Sequence, residues 1–330
     1  MSKISIIGSG SFGTAMAIST ALAGHNVTLY SRRREMTEEL MSNHENARYL
    51  PGARLPDSIN FTSDLEDTRG SDITVIAIPS HTVKDTATLL SPFVECGGIV
   101  LNISKGFAEE DEPIRLSEIL KAAIPQAKIA VMSGPSHAEE VAIGLPTTNV
   151  VAACDYDTSK LIQEVFSTKS FRIYTSDDII GLEIGGALKN IIALCAGISD
   201  GLGYGDNAKA AIITRGIAEI SRLGVAIGAK KETFSGLSGI GDLVVTCTSM
   251  HSRNRRAGIL IGQGRSADDA AKSIGMVVEG IKAAKAAHIL GARYGVEMPI
   301  TDEAYKVIYE GENVKECLTR LMSRDMKPEI

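Results

Sequence analysis

The chain has 330 residues, long enough for about two domains and a sizeable core. Lys and Arg number 34 against 40 Asp and Glu, a formal net charge of −6, and this acidic balance excludes a general nucleic-acid binder. With 44% hydrophobic and 22% charged residues the composition is that of a soluble globular protein and excludes disorder.

The five cysteines lie far apart, form no C-x-x-C pair and are odd in number. A disulfide scaffold and a cysteine zinc site are therefore not expected, and a reducing cytosol fits. Residues 4–31 carry no Asp, Glu, Lys or Arg, but Gly8, Gly10 and Gly13 interrupt the apolar run, so neither a signal peptide nor a membrane helix is expected.

In chain order, the first half alternates strand-like runs with helical patterns. The predicted strands are Ile4–Ile7, Val27–Tyr30, Ile73–Ile78, Ile99–Ile103, Ile129–Met132, Asn149–Ala153 and Phe171–Tyr174. Several are almost continuously apolar, as in strands covered on both faces. Thr14–Ala23 reads as a helix between the first two strands. This alternation predicts an α/β fold with a mostly parallel sheet of Rossmann type. Beyond about residue 177, helical patterns take over: Ile179–Ala196, Ala208–Ala226, Arg253–Ile261, Ile281–Tyr294 and Thr301–Tyr309. Gly197, Gly228, Gly262, Gly295 and Gly311 punctuate them as helix C-caps would. The expected division is a dinucleotide-binding domain over 1–178 and an all-helical substrate-binding domain over 179–330, with the ligand site in the cleft between them.

Gly8-Ser9-Gly10-Ser11-Phe12-Gly13 follows a strand and opens a helix, the context that gives G-x-G-x-x-G its meaning. Gly8 permits the tight turn, Gly10 lets backbone approach a pyrophosphate, and Gly13 lets helix pack on strand. The helix N-terminus aims N–H groups at the phosphates. The second strand ends in Tyr30-Ser31-Arg32-Arg33-Arg34, with no acid until Glu35. An NAD site commonly carries an acid there, whereas guanidinium groups suit a 2′-phosphate, so Arg32 and Arg33 point to NADP, with NAD also accepted.

Three more segments leave strand carboxyl ends, where open α/β sheets bind ligands: 76–80, Asn102-Ile103-Ser104-Lys105-Gly106, and 132–138 with Gly134, Ser136 and Ala138. In the helical half, Lys189 sits among Ile184, Ala187, Leu188, Ile191 and Leu194, a helix apolar on most sides. Burial would lower its pKa and fit it for proton transfer, but spacing alone favours a lysine whose head snorkels to solvent. Ser252 is positioned to cap a helix whose first turn carries Arg253 and Asn254, an arrangement suited to an anion. His137 and His251 have no carboxylate partner visible in sequence and are not expected to be catalytic.

Taken together, Gly8–Gly13, 104–106, 133–136, 186–190, 239–243, 252–255 and 277–280 resemble the NAD(P)-dependent glycerol-3-phosphate dehydrogenase family, bacterial type, in order along nearly the whole chain. The resemblance implies a cytoplasmic oxidoreductase that interconverts dihydroxyacetone phosphate and sn-glycerol 3-phosphate with NADP or NAD, feeding phospholipid synthesis. It implies Lys189 as the catalytic proton donor and acceptor. Substrate contacts would come from Lys105, Gly134, Ser136, Asp242, Ser252, Arg253 and Asn254. Cofactor contacts would come from Ser11, Phe12, Arg32, Lys105, Ala138, Arg253, Val277 and Glu279. Phe12 stands where the family often has Trp or Tyr, which keeps a flat apolar ring. A homodimer is implied, with no metal, no membrane insertion and no nucleic-acid partner. Two rival readings share the cofactor half: a dehydrogenase of 3-hydroxy acids, which would need a carboxylate site in place of the phosphate site, and an idle NADP(H) sensor, which would not need Lys189, Asp242 and Arg253 together.

Overall fold

The computed structural model describes residues 1–109, 111–326 and 328–329. The strands are β1 (Lys3–Ile7), β2 (Asn26–Tyr30), β3 (Glu45–Asn46), β4 (Leu50–Arg54), β5 (Ile59–Thr62), β6 (Ile73–Ile76), β7 (Ile99–Asn102), β8 (Lys128–Ser133), β9 (Thr147–Ala153) and β10 (Phe171–Ser176). Among them run α1 (Ser11–Leu22), α2 (Arg34–Asn43), α3 (Val83–Leu90), α4 (Leu116–Ala123), α5 (Ala138–Ala142) and α6 (Tyr156–Phe166). The rest is helical: α7 (Ile179–Gly201), α8 (Asp206–Ile227), α9 (Asp242–Thr248), α10 (Arg253–Gly262), α11 (Ala267–Ile274), α12 (Glu279–Tyr294), α13 (Pro299–Tyr305) and α14 (Val314–Met322).

The main sheet runs β10-β9-β8-β7-β6-β1-β2-β5 and is parallel except where β8 meets β9. Chain order reverses between β1 and β6, so the crevice at their carboxyl ends is the topological switch point where such sheets hold ligands. Ile4, Ile6, Val27 and Leu29 pack on one face with Ala15, Met16 and Ile18 of α1. Ile7, Ile76 and Val100 pack on the other with Val83, Leu90 and Leu120. Burial on both faces is why these strands lack polar alternation.

All seven expected strands form, and three more appear. Pro51 and Gly52 hide β4, and β5 is a four-residue edge strand too short to show periodicity.

The helical half is built around α7, whose residues Ile184, Ala187, Leu188 and Ile191 are buried against α8, α9 and α12. Asp178 caps it, accepting from Gly181 N at 2.8 Å. By length and hydropathy α7 could cross a membrane, but 78% of its apolar window lies inside the protein, as in a core helix. The helix continues past Ala196 to Gly201, so Gly197 is not a C-cap; a Cβ there would run into the Arg255 backbone. Gly262 likewise is the last residue of α10 and approaches Gly201, the cap being Gln263. These glycines, with Gly258 against the Leu194 carbonyl, let α7 and α10 cross backbone to backbone. Gly228, Gly295 and Gly311 are left-handed caps as expected.

Candidate active site

The glycine turn comes first. Gly8 has φ 119°, and a Cβ there would strike the Ala77 carbonyl; at Gly13 it would strike the Gly8 carbonyl. Gly10 caps α1, and a Cβ there would meet nothing within 4 Å. The first and third glycines thus serve the protein's own packing, whereas the second faces open space at a helix N-terminus. This is the cradle a dinucleotide pyrophosphate fits. Asn46 reinforces the turn in a way that sequence reading missed: buried, it donates to Ser9 O at 2.9 Å and to Thr14 Oγ1 at 2.7 Å.

Ser31, Arg32 and Arg33 follow β2. Arg33 donates to Tyr49 Oη at 3.1 Å, and Arg34 pairs with Glu38 at 3.0 Å. Arg32 is exposed and has no hydrogen bond or ion pair among the described residues. Phe12 packs partly buried against the sheet core. After β6, the Ser104 hydroxyl accepts from Ile78 N at 3.1 Å and donates to Ile78 O at 2.6 Å, fixing the strand that passes under the turn. Glu279, at the start of α12 beside half-buried Val277, accepts from Ser80 Oγ at 3.1 Å, which ties the helical half to the same strand end. Ala138, buried, is the first residue of α5.

Deeper in the crevice the two halves meet through charge. Lys189 on α7 is only 6% exposed. Its Nζ donates to Asp242 Oδ1 and, at 2.8 Å, to Thr246 Oγ1. Lys105, arriving after β7, donates to Asp242 Oδ2 at 2.6 Å and to Gly134 O at 3.2 Å. One carboxylate, 1% exposed, therefore joins an amine from the sheet to an amine from the helices. The snorkelling reading of Lys189 fails because α7 is enclosed on every side there. Burial, the largest effect, drives its pKa down to about 7, with Asp242 pulling up and Lys105 pushing down. Burial pushes Asp242 up, but the two ammonium groups together hold it below the ordinary carboxylate range.

Ser136 Oγ donates to Gly134 O at 3.1 Å beside Lys105. Ser252 caps α10, accepting from Arg255 N at 3.2 Å. Asn254 donates to Asn190 Oδ1 at 2.8 Å and accepts from Gly280 N at 2.9 Å, locking α10 to α7 and α12. Arg253 is partly buried and makes no hydrogen bond or ion pair among the described residues; burial lowers its pKa, opposed by Glu279 and Glu139. A guanidinium held this way is suited to an anion that arrives from outside the chain.

His137 lies 3.5 Å from Val245 O, and His251 is 3.9 Å from Glu139 with half its side chain exposed. Neither meets the lysine–aspartate cluster through a hydrogen bond. Thr246 and Asn190 were missed as partners. Thr246 stands one turn after Asp242, a spacing that puts both on one helix face.

The family profile described as the NAD-dependent glycerol-3-phosphate dehydrogenase N-terminus matches residues 3–159, and that of its C-terminus matches 178–319. The glycerol-3-phosphate dehydrogenase (NAD(P)+) of Moorella thermoacetica is 52% identical over 329 residues, covering 99% of this chain and 98% of that one. That of Agathobacter rectalis is 52% identical over 330 residues, covering 100% and 98%. The crystal structure of glycerol-3-phosphate dehydrogenase from Coxiella burnetii superimposes with a TM-score of 0.94 at 37% identity, over 98% of this chain and 99% of that one. With a glycine cradle on the sheet, a lysine–aspartate–lysine cluster at the junction and both halves matched, the chain belongs to the NAD-dependent glycerol-3-phosphate dehydrogenase family.

Proposed function

We propose that this protein catalyses the reversible reduction of dihydroxyacetone phosphate to sn-glycerol 3-phosphate with NADPH or NADH, for glycerophospholipid synthesis. Family membership supports the reaction, and one observation carries the mechanism: a buried amine with a pKa near 7, contributed by the helical half, beside the crevice of the sheet. Bound NAD(P)H supplies the hydride. As negative charge grows on the carbonyl oxygen, Lys189 in its ammonium form stabilises it and donates a proton. In the oxidative direction neutral Lys189 takes the proton from the hydroxyl. Asp242 holds that amine in place and, through Lys105, registers it against the strand ends.

The substrate phosphate goes to Arg253 and the N-terminal turn of α10, with Ser252 and Asn254 shaping the turn. Gly134, Ser136 and Lys105 line the opposite wall. Gly8, Gly10, Ser11, Phe12 and Gly13 take the dinucleotide, with Ala138, Val277, Glu279 and Arg253 closing over it. Unpaired Arg32, with Arg33 beside it, is placed for a 2′-phosphate or the adenine edge. In this reading residues 1–178 form the cofactor domain and 179–330 the substrate domain. A homodimer and a cytoplasmic location complete it. The exposed Ala210, Ala211 and Val225 of α8 support the first, and five unpaired cysteines support the second.

Following NADPH and NADH absorbance with dihydroxyacetone phosphate, and with a 3-keto acid as control, tests the assignment. Turnover only with the keto acid, or cofactor binding with no turnover, would refute it.

A further inference from the structure

Ser133, the last residue of β8, is 3% exposed, and its Oγ has no hydrogen-bond partner among the described residues. Leaving a buried hydroxyl unpaired costs about 1–3 kcal/mol, so such groups call for an explanation. This one borders a small cavity of about 10 Å³ beside Lys105, lined by Ser104, Lys105, Ser133, Glu183 and Gly186 among others. That is the room one water needs. Gly186 keeps it open: a Cβ there would stand 2.9 Å from Ser133 Oγ and 3.5 Å from the Lys105 side chain.

A buried carboxylate, Glu183, also lines it. Glu183 accepts Ser117 N on Oε1 at 2.7 Å, and Ser117 Oγ at 2.6 Å and Arg115 Nη1 at 2.9 Å on Oε2. A carboxylate offers about four lone-pair positions, so Oε1 retains one. Two polar groups lining a water-sized space satisfy the conditions for an ordered internal water.

We propose that this cavity is the site of one internal water that donates to Glu183 Oε1 and pairs with Ser133 Oγ. The water bridges the end of β8 to α7. Glu183 and Gly186 precede Lys189 on α7, whereas Ser133 precedes Gly134, whose carbonyl holds Lys105. The bridge thus sets the distance between the two halves of the lysine–aspartate–lysine cluster, and Ser133 and Glu183 act as positioning residues. This catalytic consequence rests on Lys189 being the acid; the water itself does not.

The test is a high-resolution crystal structure of the intact chain together with the kinetics of Ser133→Ala. The wild type should show one ordered water bonded to Ser133 Oγ and Glu183, absent in the variant. Misplacing the proposed proton donor by a fraction of an ångström lowers turnover more than ground-state binding, so kcat should fall about tenfold, by more than either KM rises. No water in the wild type, a water that persists in the variant, or an unchanged kcat would each overturn the proposal. The wild-type density decides the water site even if the variant does not fold. Inactivity of the wild type toward dihydroxyacetone phosphate would instead defeat the functional reading and leave the water site standing.

Discussion

Replacing Asp242 by Asn probes the cluster most directly. Asn keeps the shape and one acceptor oxygen but removes the charge between a buried amine and a partly exposed one. A unit charge pair at about 4 Å is worth roughly 4 kcal/mol at an effective dielectric constant near 20. At about 1.4 kcal/mol per pKa unit, losing it lowers the Lys189 pKa by roughly three units. With the wild-type amine near 7, about half is ammonium at neutral pH. In Asp242→Asn the fraction falls to about one in a thousand. Because reduction needs the ammonium form, kcat at pH 7 should drop about 10²–10³-fold, and the pH profile should move toward acid. NADPH consumption with saturating dihydroxyacetone phosphate, followed between about pH 5 and 9, reads both effects. In the wild type, reduction should fade and oxidation should rise as pH climbs through about 7. If Asp242→Asn were slow but kept the wild-type pH profile, the carboxylate would be only a spacer, and the reasoning from charge would be wrong.

Other substitutions separate packing from binding. Gly10→Ala should leave the melting temperature unchanged and weaken cofactor binding in titration calorimetry, because its Cβ meets nothing in the protein, whereas Gly13→Ala should lower the melting temperature by clashing with the Gly8 carbonyl. Arg253→Ala should raise KM for dihydroxyacetone phosphate about 10–100-fold, the range of one or two charge-assisted hydrogen bonds, and steady-state kinetics will read it. Arg32→Ala should raise KM for NADPH about tenfold while leaving KM for NADH nearly unchanged. Glu219, buried under the N-terminus of α13, is pushed by burial up to about 7 from 4.5, although Ile300 N donates to it at 2.8 Å. Between those values the folded chain holds a proton that the unfolded chain has lost, so stability falls as pH rises through the window. Glu219→Gln should flatten that slope in thermal unfolding at about pH 5 and pH 8, and an undiminished slope would count against the assignment.

Much of the sheet was legible because its information is local. Strands covered on both faces announce themselves as apolar runs, and the glycine turn has a fixed context. The site was only half legible. Asp242, Lys105 and Lys189 lie on three elements far apart in sequence, and periodicity says which face of α7 is apolar, not that its lysine points inward. For Lys189 the decisive fact is enclosure by α8, α9 and α12, a property of packing. Asn46, Thr246 and the Glu183–Arg115 pair escaped for the same reason: their partners are supplied by the tertiary fold. The glycines of α7 and α10 misled in the opposite direction, because a cap and a close helix crossing require the same missing side chain.

Under the proposed function, that crossing also brings binding and chemistry into one pocket. A glycine row on α7 lets α10 dock at backbone distance, which brings its first turn, with Arg253, alongside the turn carrying Lys189 and Asn190. Larger residues there would push α10 outward, and the proposed phosphate anchor would then no longer sit at a fixed reach from the proposed proton donor. The helix that tolerates this contact also buries an amine whose pKa is displaced from 10.5 to about 7, a cost on the order of 5 kcal/mol against folding with the ammonium form in place. Sign and window follow: the unfolded chain holds the extra proton between those two values, so this cost is full below about pH 7 and disappears as pH rises toward 10.5. The apolar remainder of α7, enclosed on all sides, offsets it. A helix otherwise as apolar as a membrane span is thus what holds a poised amine at the bottom of a polar crevice.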